Sequence, residues 1–363
     1  MIKFIHTGDI HLGLQFKNVS FNKEKAKERR IELWTTFERI VSRAKENMVD
    51  FLLIAGDLFE ESYFTLGDMK RVRDTFKEAE KVNIIISAGN HDYIGEKSLY
   101  NKIDWSENVT IFNGNGIEIK EFPKLNTNIY GYSWSRTEMK ENKLFHNFTE
   151  VDKERTNILV LHGDISINSS YLPLNIQELN KLNLDYIALG HIHKPQIISD
   201  KIAYSGCPEP LDFGEIGERG IIEGMVKDNK TIFEFIPFSK RIFINEEIIL
   251  KEDMGYPQII NKIKNIDKGN KDRDFYRIIL KGFIDKDVNF KSLTKDLEPY
   301  FYHIEIKDNT ILDYDFDMLE RDNQDNIIGQ FIKTMRSKGL EDSIVKESLY
   351  IGLEALLKGR GEM

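Results

Sequence analysis

Short apolar runs recur along the first two thirds of this chain, separated by longer polar stretches with their own periodicity. Residues 51–55, 84–88, 158–161 and 187–189 are almost continuously apolar, and residues 2–7 carry Ile2, Phe4 and Ile5, which is the pattern of buried strands. Between the first two, residues 23–48 carry Ile31, Trp34, Phe37, Val41, Ala44 and Met48 at three- and four-residue spacing. That spacing predicts a helix with one face on a sheet. Residues 66–81 predict a second helix, which ends at Asn83 before the next strand. Strand patterns then dominate: 109–112, 117–121, 128–133, and 219–227 with 231–237 as a hairpin around Asp228-Asn229-Lys230. The alternation predicts an α/β domain over residues 1–240, a two-sheet β-sandwich flanked by helices.

The rhythm changes near Arg241. Strand, helix, strand, helix and strand patterns follow at 242–250, 256–266, 275–282, 290–297 and 301–306, a small α+β unit that reads as a cap domain over 241–310. Residues 311–326 are acidic and poor in apolar side chains, the composition of a linker. Beyond them, Ile328, Phe331, Ile332 and Met335 form one helical stripe and Val345, Leu349, Leu353 and Leu356 another, separated by Lys338-Gly339. A helical hairpin over 327–363 with so small a core either docks back or takes a partner.

Composition narrows the class. At 363 residues the chain exceeds the size at which single cores stop growing. No apolar stretch reaches membrane-spanning length, and the first residues lead straight into a predicted strand, so no signal peptide is expected. The one cysteine, Cys207, excludes an internal disulfide framework and reads as a small buried hydrophobe, so a cytoplasmic location is expected. A net charge of −9 argues against DNA binding by bulk positive charge, so any such affinity is focused or borrowed.

Each of the five apolar runs is followed by a polar block: Gly8-Asp9-Ile10-His11, Gly56-Asp57, Gly89-Asn90-His91-Asp92, His162-Gly163 and Gly190-His191-Ile192-His193. Taken singly, each has an ordinary explanation as a helix cap, a turn or a strand-end histidine. Together they place Asp9, His11, Asp57, Asn90, His162, His191 and His193 where strand ends of an α/β sheet converge. Their mixed oxygen and nitrogen donors suit Mn²⁺, Fe²⁺, Zn²⁺ or Co²⁺, and two such ions would perform in-line displacement at phosphorus. His91 is placed to assist a leaving oxygen, and Asp92 to orient the His91 ring. His6, His146 and His303 are expected non-ligands.

The ordered series Asp-x-His, Gly-Asp, Gly-Asn-His-Asp, His-Gly and Gly-His-x-His resembles the signature of the calcineurin-like metallophosphoesterases. The flanks, residues 6–13, 186–196 and the loop Tyr204-Ser205-Gly206-Cys207-Pro208-Glu209-Pro210-Leu211-Asp212-Phe213, are similar to the SbcD/YhaO-like branch of DNA-repair exonucleases. The resemblance implies the fold of that superfamily and one ion held by Asp9, His11, Asp57 and His193. A second ion would be held by Asp57, Asn90, His162 and His191, with Asp57 shared, Mn²⁺ as the metal and His91 helping the departing sugar oxygen; with Asp92 orienting its ring, His91 and Asp92 are the expected catalytic residues. It further implies DNA as substrate, a homodimer, and an SMC-type ATPase partner gripped by the terminal hairpin, with no membrane role. One position departs: some relatives carry a histidine three residues after the shared aspartate, where this chain has Glu60, which puts direct phosphate contact there in doubt. The rival readings are a phosphodiesterase of nucleotides or cyclic nucleotides, and a non-catalytic scaffold.

Overall fold

The computed structural model describes residues 1–358 except 18–20, 142–143, 146–147, 149–150, 167, 229, 253 and 286. Asn229 at the expected hairpin turn, His146 and the last five residues of the expected terminal hairpin therefore lie outside the described residues. The chain divides into two compact units, Met1–Ile242 and Phe243–Met363.

In the first unit the elements in chain order are β1 (Ile2–Thr7), α1 (Lys23–Glu46), β2 (Phe51–Ile54), α2 (Leu66–Lys77), β3 (Asn83–Ile86), β4 (Val109–Ile111), β5 (Glu118–Phe122) and β6 (Thr127–Gly131). Then come β7 (Thr156–His162), α3 (Ile176–Lys181), β8 (Tyr186–Gly190), β9 (Gln196–Ile197), β10 (Ile202–Tyr204), β11 (Gly220–Lys227) and β12 (Lys230–Pro237). One sheet has the order β12-β11-β1-β2-β3-β4 and the other β5-β6-β7-β8-β10-β9. The period-two alternation of strand side chains divides the core into layers. Phe4, Phe51, Leu53 and Ile85 of the first sheet meet Ile129, Ile158, Val160 and Ala188 of the second. The alternate residues Ile5, Leu52, Ile54 and Ile86 face Phe37 and Val41 of α1 and Val72 and Phe76 of α2. On the far side Leu159, Leu161, Ile187 and Leu189 pack with Leu179 of α3. This is the two-sheet sandwich flanked by helices that the pattern predicts.

Two expected core positions of α1 are exposed. The helix stops at Glu46, so Met48 lies past its Asn47 cap with a positive φ of 48°, out of phase with the buried stripe. Ile31 lies outside that stripe, which is completed by Leu33 and Ile40 instead.

In the second unit β13 (Phe243–Leu250), α4 (Tyr256–Lys264), β14 (Phe275–Ile284), α5 (Phe290–Leu297) and β15 (His303–Leu312) form a parallel three-stranded sheet with its crossover helices. The stretch 311–326 is not an irregular linker. β15 runs through Leu312 because it stays paired with β14 as far as Ile284. A further helix, α6 (Phe316–Asp322), follows, capped by the Asp315 side chain on the Met318 N–H. Its few apolar residues suffice because they are grouped: Phe316 and Leu319 pack on Ile328 and Ile332 of α7 (Ile327–Ser337) and Leu349 and Leu353 of α8 (Ser343–Lys358). Its acidic residues Asp317 and Glu320 pair with Arg336 at 2.7 and 3.0 Å. The terminal helices also dock within their unit, where the buried Tyr350 ring lies 4.8 Å from that of Phe283. Among the described residues no helix is long and apolar enough to cross a membrane.

Candidate metal centre

Strands β1, β2 and β3 are parallel neighbours, as are β7 and β8. All five polar blocks therefore leave the C-terminal ends of parallel strands. The loops after β1 and β2 are zipped together: Asp9 N–H donates to Gly56 O (3.0 Å), Ile10 and His11 N–H to Asp57 O (2.9 and 3.0 Å), and Leu12 N–H to Leu58 O (3.0 Å). Four of the seven candidate ligands, Asp9, His11, Asp57 and His191, have positive φ, at 51°, 50°, 50° and 99°. Such conformations are costly for residues with a Cβ and cluster at functional sites. Two glycines let the sheets close on each other. A Cβ on Gly56 would stand 2.3 Å from the His162 ring nitrogen, and one on Gly190 only 1.7 Å from Ala55 O.

The seven side chains converge. His162 Nε2 is 3.0 Å from Asn90 Oδ1 and 3.4 Å from Asp57 Oδ2. His11 Nε2 is 3.2 Å from His193 Nε2 and 3.8 Å from Asp57 Oδ2, and His193 Nε2 is 3.9 Å from Asp9 Oδ1. The His191 ring stands 5.2 Å from that of His162, and its backbone N–H donates to both Asp9 carboxylate oxygens at 3.0 and 3.1 Å. His6 is elsewhere, buried between Tyr186 Oη (2.9 Å) and Leu189 O (3.2 Å), and His303 lies in the second unit beside Glu305.

The far nitrogens of these rings are also committed. His162 Nδ1 donates to Ala55 O at 2.9 Å, His11 Nδ1 to Glu60 Oε1 at 2.7 Å, and His193 Nδ1 to Glu215 Oε1 at 2.5 Å. Glu60 does a second task, because its other oxygen lies 3.1 Å from His91 Nδ1. The partner of the His91 ring is thus Glu60, not Asp92. Asp92 turns inward and is fully buried. It accepts the N–H groups of Asp57 (3.1 Å), Gly89 (2.6 Å) and Leu58 (2.9 Å) and the Tyr100 hydroxyl (2.8 Å). Its adjacency to His91 in sequence pointed the wrong way, since successive residues of a loop face different directions. Both Glu60 oxygens being occupied also explains how a carboxylate is accommodated at that position. Glu215 carried no signal of its own, lying 22 residues beyond the histidine it holds.

Electrostatics follow from these contacts. Burial opposes ionisation of Glu60, yet hydrogen bonds from His11 and His91 hold its carboxyl down to about 2. The same bond from Glu60 outweighs burial to raise His91 to about 9. His193 also rises to about 9, against burial, through Glu215 and Asp9. Burial and the neighbouring His162 lower His191 to about 4. Burial and Asp57 push Asp92 up to about 6 against its hydrogen bonds.

Residues 2–195 match the calcineurin-like phosphoesterase family. The chain belongs to that family. A relative from Bacillus subtilis strain 168, the uncharacterised metallophosphoesterase YhaO, is 30% identical over 246 residues. The match covers 64% of this chain and 60% of YhaO, less than two thirds of that relative's length. Membership points to hydrolysis of phosphoesters with divalent metal ions, and this chain's donors can be tested against that requirement. Asp9, His11 and His193 offer donor atoms all within 4.8 Å of one another, and so do Asp9, Asp57 and His162. Because Glu60 and Glu215 take the Nδ1 protons of His11 and His193, the two Nε2 atoms face each other at 3.2 Å. Two imidazole lone pairs at that distance repel unless positive charge lies on or between them. A metal ion between the two rings meets that demand, as does a proton on either nitrogen. Carboxylate, imidazole and amide donors around such a point fit a divalent ion of the family.

Proposed function

We propose that the chain is a two-metal phosphodiesterase acting on DNA. The observation that carries the phosphodiesterase part is the opposed pair of imidazoles, each tethered by its own carboxylate, above Asp9 and Asp57. In this reading Asp9, His11, Asp57 and His193 hold one ion, and Asp57, Asn90, His162 and His191 the other. Such ions supply polarisation of the phosphoryl oxygens and a water acidic enough to ionise near neutral pH. Manganese suits the mixed donor set.

The chain's own residues do the rest. Asp57 is fixed by the His91 N–H on its Oδ1 (2.9 Å), so its other oxygen stays directed at His162 and His11. The His91 side chain is 44% exposed and can meet substrate. Its Nδ1 donates to Glu60, whose carboxylate favours the doubly protonated ring, so that Nε2 also carries a proton for the departing sugar oxygen.

The DNA part rests on the flanking motifs and on the second unit. By similarity to the SbcD branch, the chain degrades duplex ends 3′ to 5′, nicks single strands, and works as a homodimer with an SMC-type ATPase. Support for that partner comes from α8, where Ile344 and Ile351 lie two turns apart on one face at 72% and 60% exposure. The test is cleavage by the full chain with Mn²⁺. Linear duplex or single-stranded DNA should be cut faster than an aryl phosphodiester, and the reverse preference refutes the DNA reading in favour of a small substrate. Ile344→Glu with Ile351→Glu should abolish ATPase binding while single-strand cleavage persists; retained binding refutes the partner assignment.

A further inference from the structure

The loop that follows the last two candidate ligands returns to wrap around His193. Cys207 N–H donates to His193 O at 3.0 Å, so the loop holds the backbone of that residue. Farther along the same loop Glu215 reaches the other end of His193, where its Oε1 accepts the Nδ1 proton. Its Oε2 is no freer: Leu211 N–H donates to it at 2.8 Å and the Cys207 thiol at 3.2 Å. The loop is anchored in turn to α1. Glu209, buried, accepts from Arg29 (3.1 Å), from Thr36 Oγ1 (2.8 Å) and from Lys240 N–H (2.6 Å). A buried carboxylate with that many partners is not adjustable, and neither is the loop that carries it.

From this we infer that Glu215 is the positioning residue of His193. Through a fixed Nδ1–H···O⁻ bond it presents the Nε2 lone pair of His193 to the ion shared with Asp9 and His11. The inference rests on the two-metal reading above and assigns to Glu215 a role that the ligand series does not contain. Carboxylates behind metal-bound imidazoles set the tautomer and raise the basicity of the ligand. The three donors on Glu215 show why glutamine cannot replace it. If the amide oxygen faces His193, the amide NH₂ meets the Leu211 N–H, donor against donor. If the amide is turned round, its NH₂ takes the Nδ1 position as donor, and the ring proton moves to Nε2, where the ion should be.

The experiment is Mn²⁺ binding to the full chain, followed by the resonance of the free ion. Glu215→Gln should weaken one of two Mn²⁺ ions by about 10–100-fold and leave the other within about threefold. Affinities equal to wild type for both ions overturn the inference while sparing the two-metal reading. A wild-type chain that binds no Mn²⁺ overturns both. Should Glu215→Gln fail to fold, the wild type decides the matter by nitrogen NMR of ¹⁵N-histidine in the Zn²⁺-loaded protein. His193 should then show a protonated Nδ1 and a metal-bound Nε2; an unprotonated or metal-bound Nδ1 refutes the assignment.

Discussion

Asp92 stands next to His91 in sequence, yet its contacts are those of a clamp, and removing it separates the two roles. The substitution Asp92→Ala deletes the acceptor of three backbone N–H groups, Asp57, Leu58 and Gly89, and of the Tyr100 hydroxyl. The hydroxyl can rotate to another partner, but the three N–H groups are fixed in buried loops. An unsatisfied buried donor costs about 1–3 kcal/mol, so the loss is about 3–9 kcal/mol. Ionisation of Asp92 is itself opposed by burial and by Asp57, which offsets part of the gain and places the expected loss in the lower half of that range. For a unit of this size each kcal/mol shifts Tm by about 2–4 °C, so the first unit should melt at least about 6 °C lower. His91→Ala removes a half-exposed ring and should leave Tm within about 2 °C while turnover falls by two orders of magnitude or more, roughly what general acid catalysis contributes. Thermal melts of both variants without metal, beside turnover with Mn²⁺, make the comparison. An Asp92→Ala chain as stable as wild type, with a turnover defect matching His91→Ala, would show that the carboxylate acts in the reaction and that the clamp is incidental.

Three further outcomes follow from the same contacts. His6, fully buried, has its value lowered from 6.5 to about 3, so its stabilising contribution is complete above pH 6.5 and is lost as pH falls toward 3. With the unfolded ring half protonated at pH 6.5, wild type should lose about 2.3 kcal/mol between pH 6.5 and 4.5 beyond what His6→Gln loses, read by urea melts; parallel losses exclude His6 as the group responsible. Glu60→Gln replaces the carboxylate that raises His91 to about 9 with a neutral amide, so the alkaline limb of the pH–rate profile should move down by more than one unit; an unmoved limb refutes the pairing. Mn²⁺ at a hundred times its Kd should stabilise the first unit by about 2.7 kcal/mol per ion, a gain that EDTA reverses and His162→Ala reduces. Equal melts with and without Mn²⁺ would contradict a metal centre in this unit.

The strands and the seven converging side chains were legible because parallel strands buried on both faces leave unbroken apolar runs, and the site residues follow those runs directly. What was hidden depends on direction and distance. Asp92 and Glu60 differ in which way a loop side chain turns, and no local pattern encodes that. Glu215 reaches His193 through a loop whose course is set by the buried Arg29–Glu209 pair, a contact spanning 180 residues. The helix α6 escaped because a short helix needs only two or three grouped apolar residues when others supply the rest of its core, and Phe316 and Leu319 look sparse among acids. Met48 shows the converse error, since helical spacing marks a face but not where the helix ends, and Ile31 sits off the face that Leu33 and Ile40 complete.

The strain at the site bears on how metal affinity would arise. Positive φ at Asp9, His11, Asp57 and His191 costs on the order of 1–3 kcal/mol each, so the four together store about 4–12 kcal/mol. That energy is opposed by bonds that involve no ion: the four backbone hydrogen bonds between the loops after β1 and β2, the Asp92 clamp, and the His191 N–H on Asp9. Backbone placement of the ligands is therefore fixed by the fold, and a bound ion need not do it. Ring orientation is a separate matter, carried for His11 and His193 by Glu60 and Glu215 and for His162 by the Ala55 carbonyl. Substitutions in the first group should act on stability with or without metal, and those at Glu60 and Glu215 should lower metal affinity beyond whatever they cost the metal-free melt. A centre assembled by the ion itself would show no such division, because every variant would then lose folding energy and metal binding together.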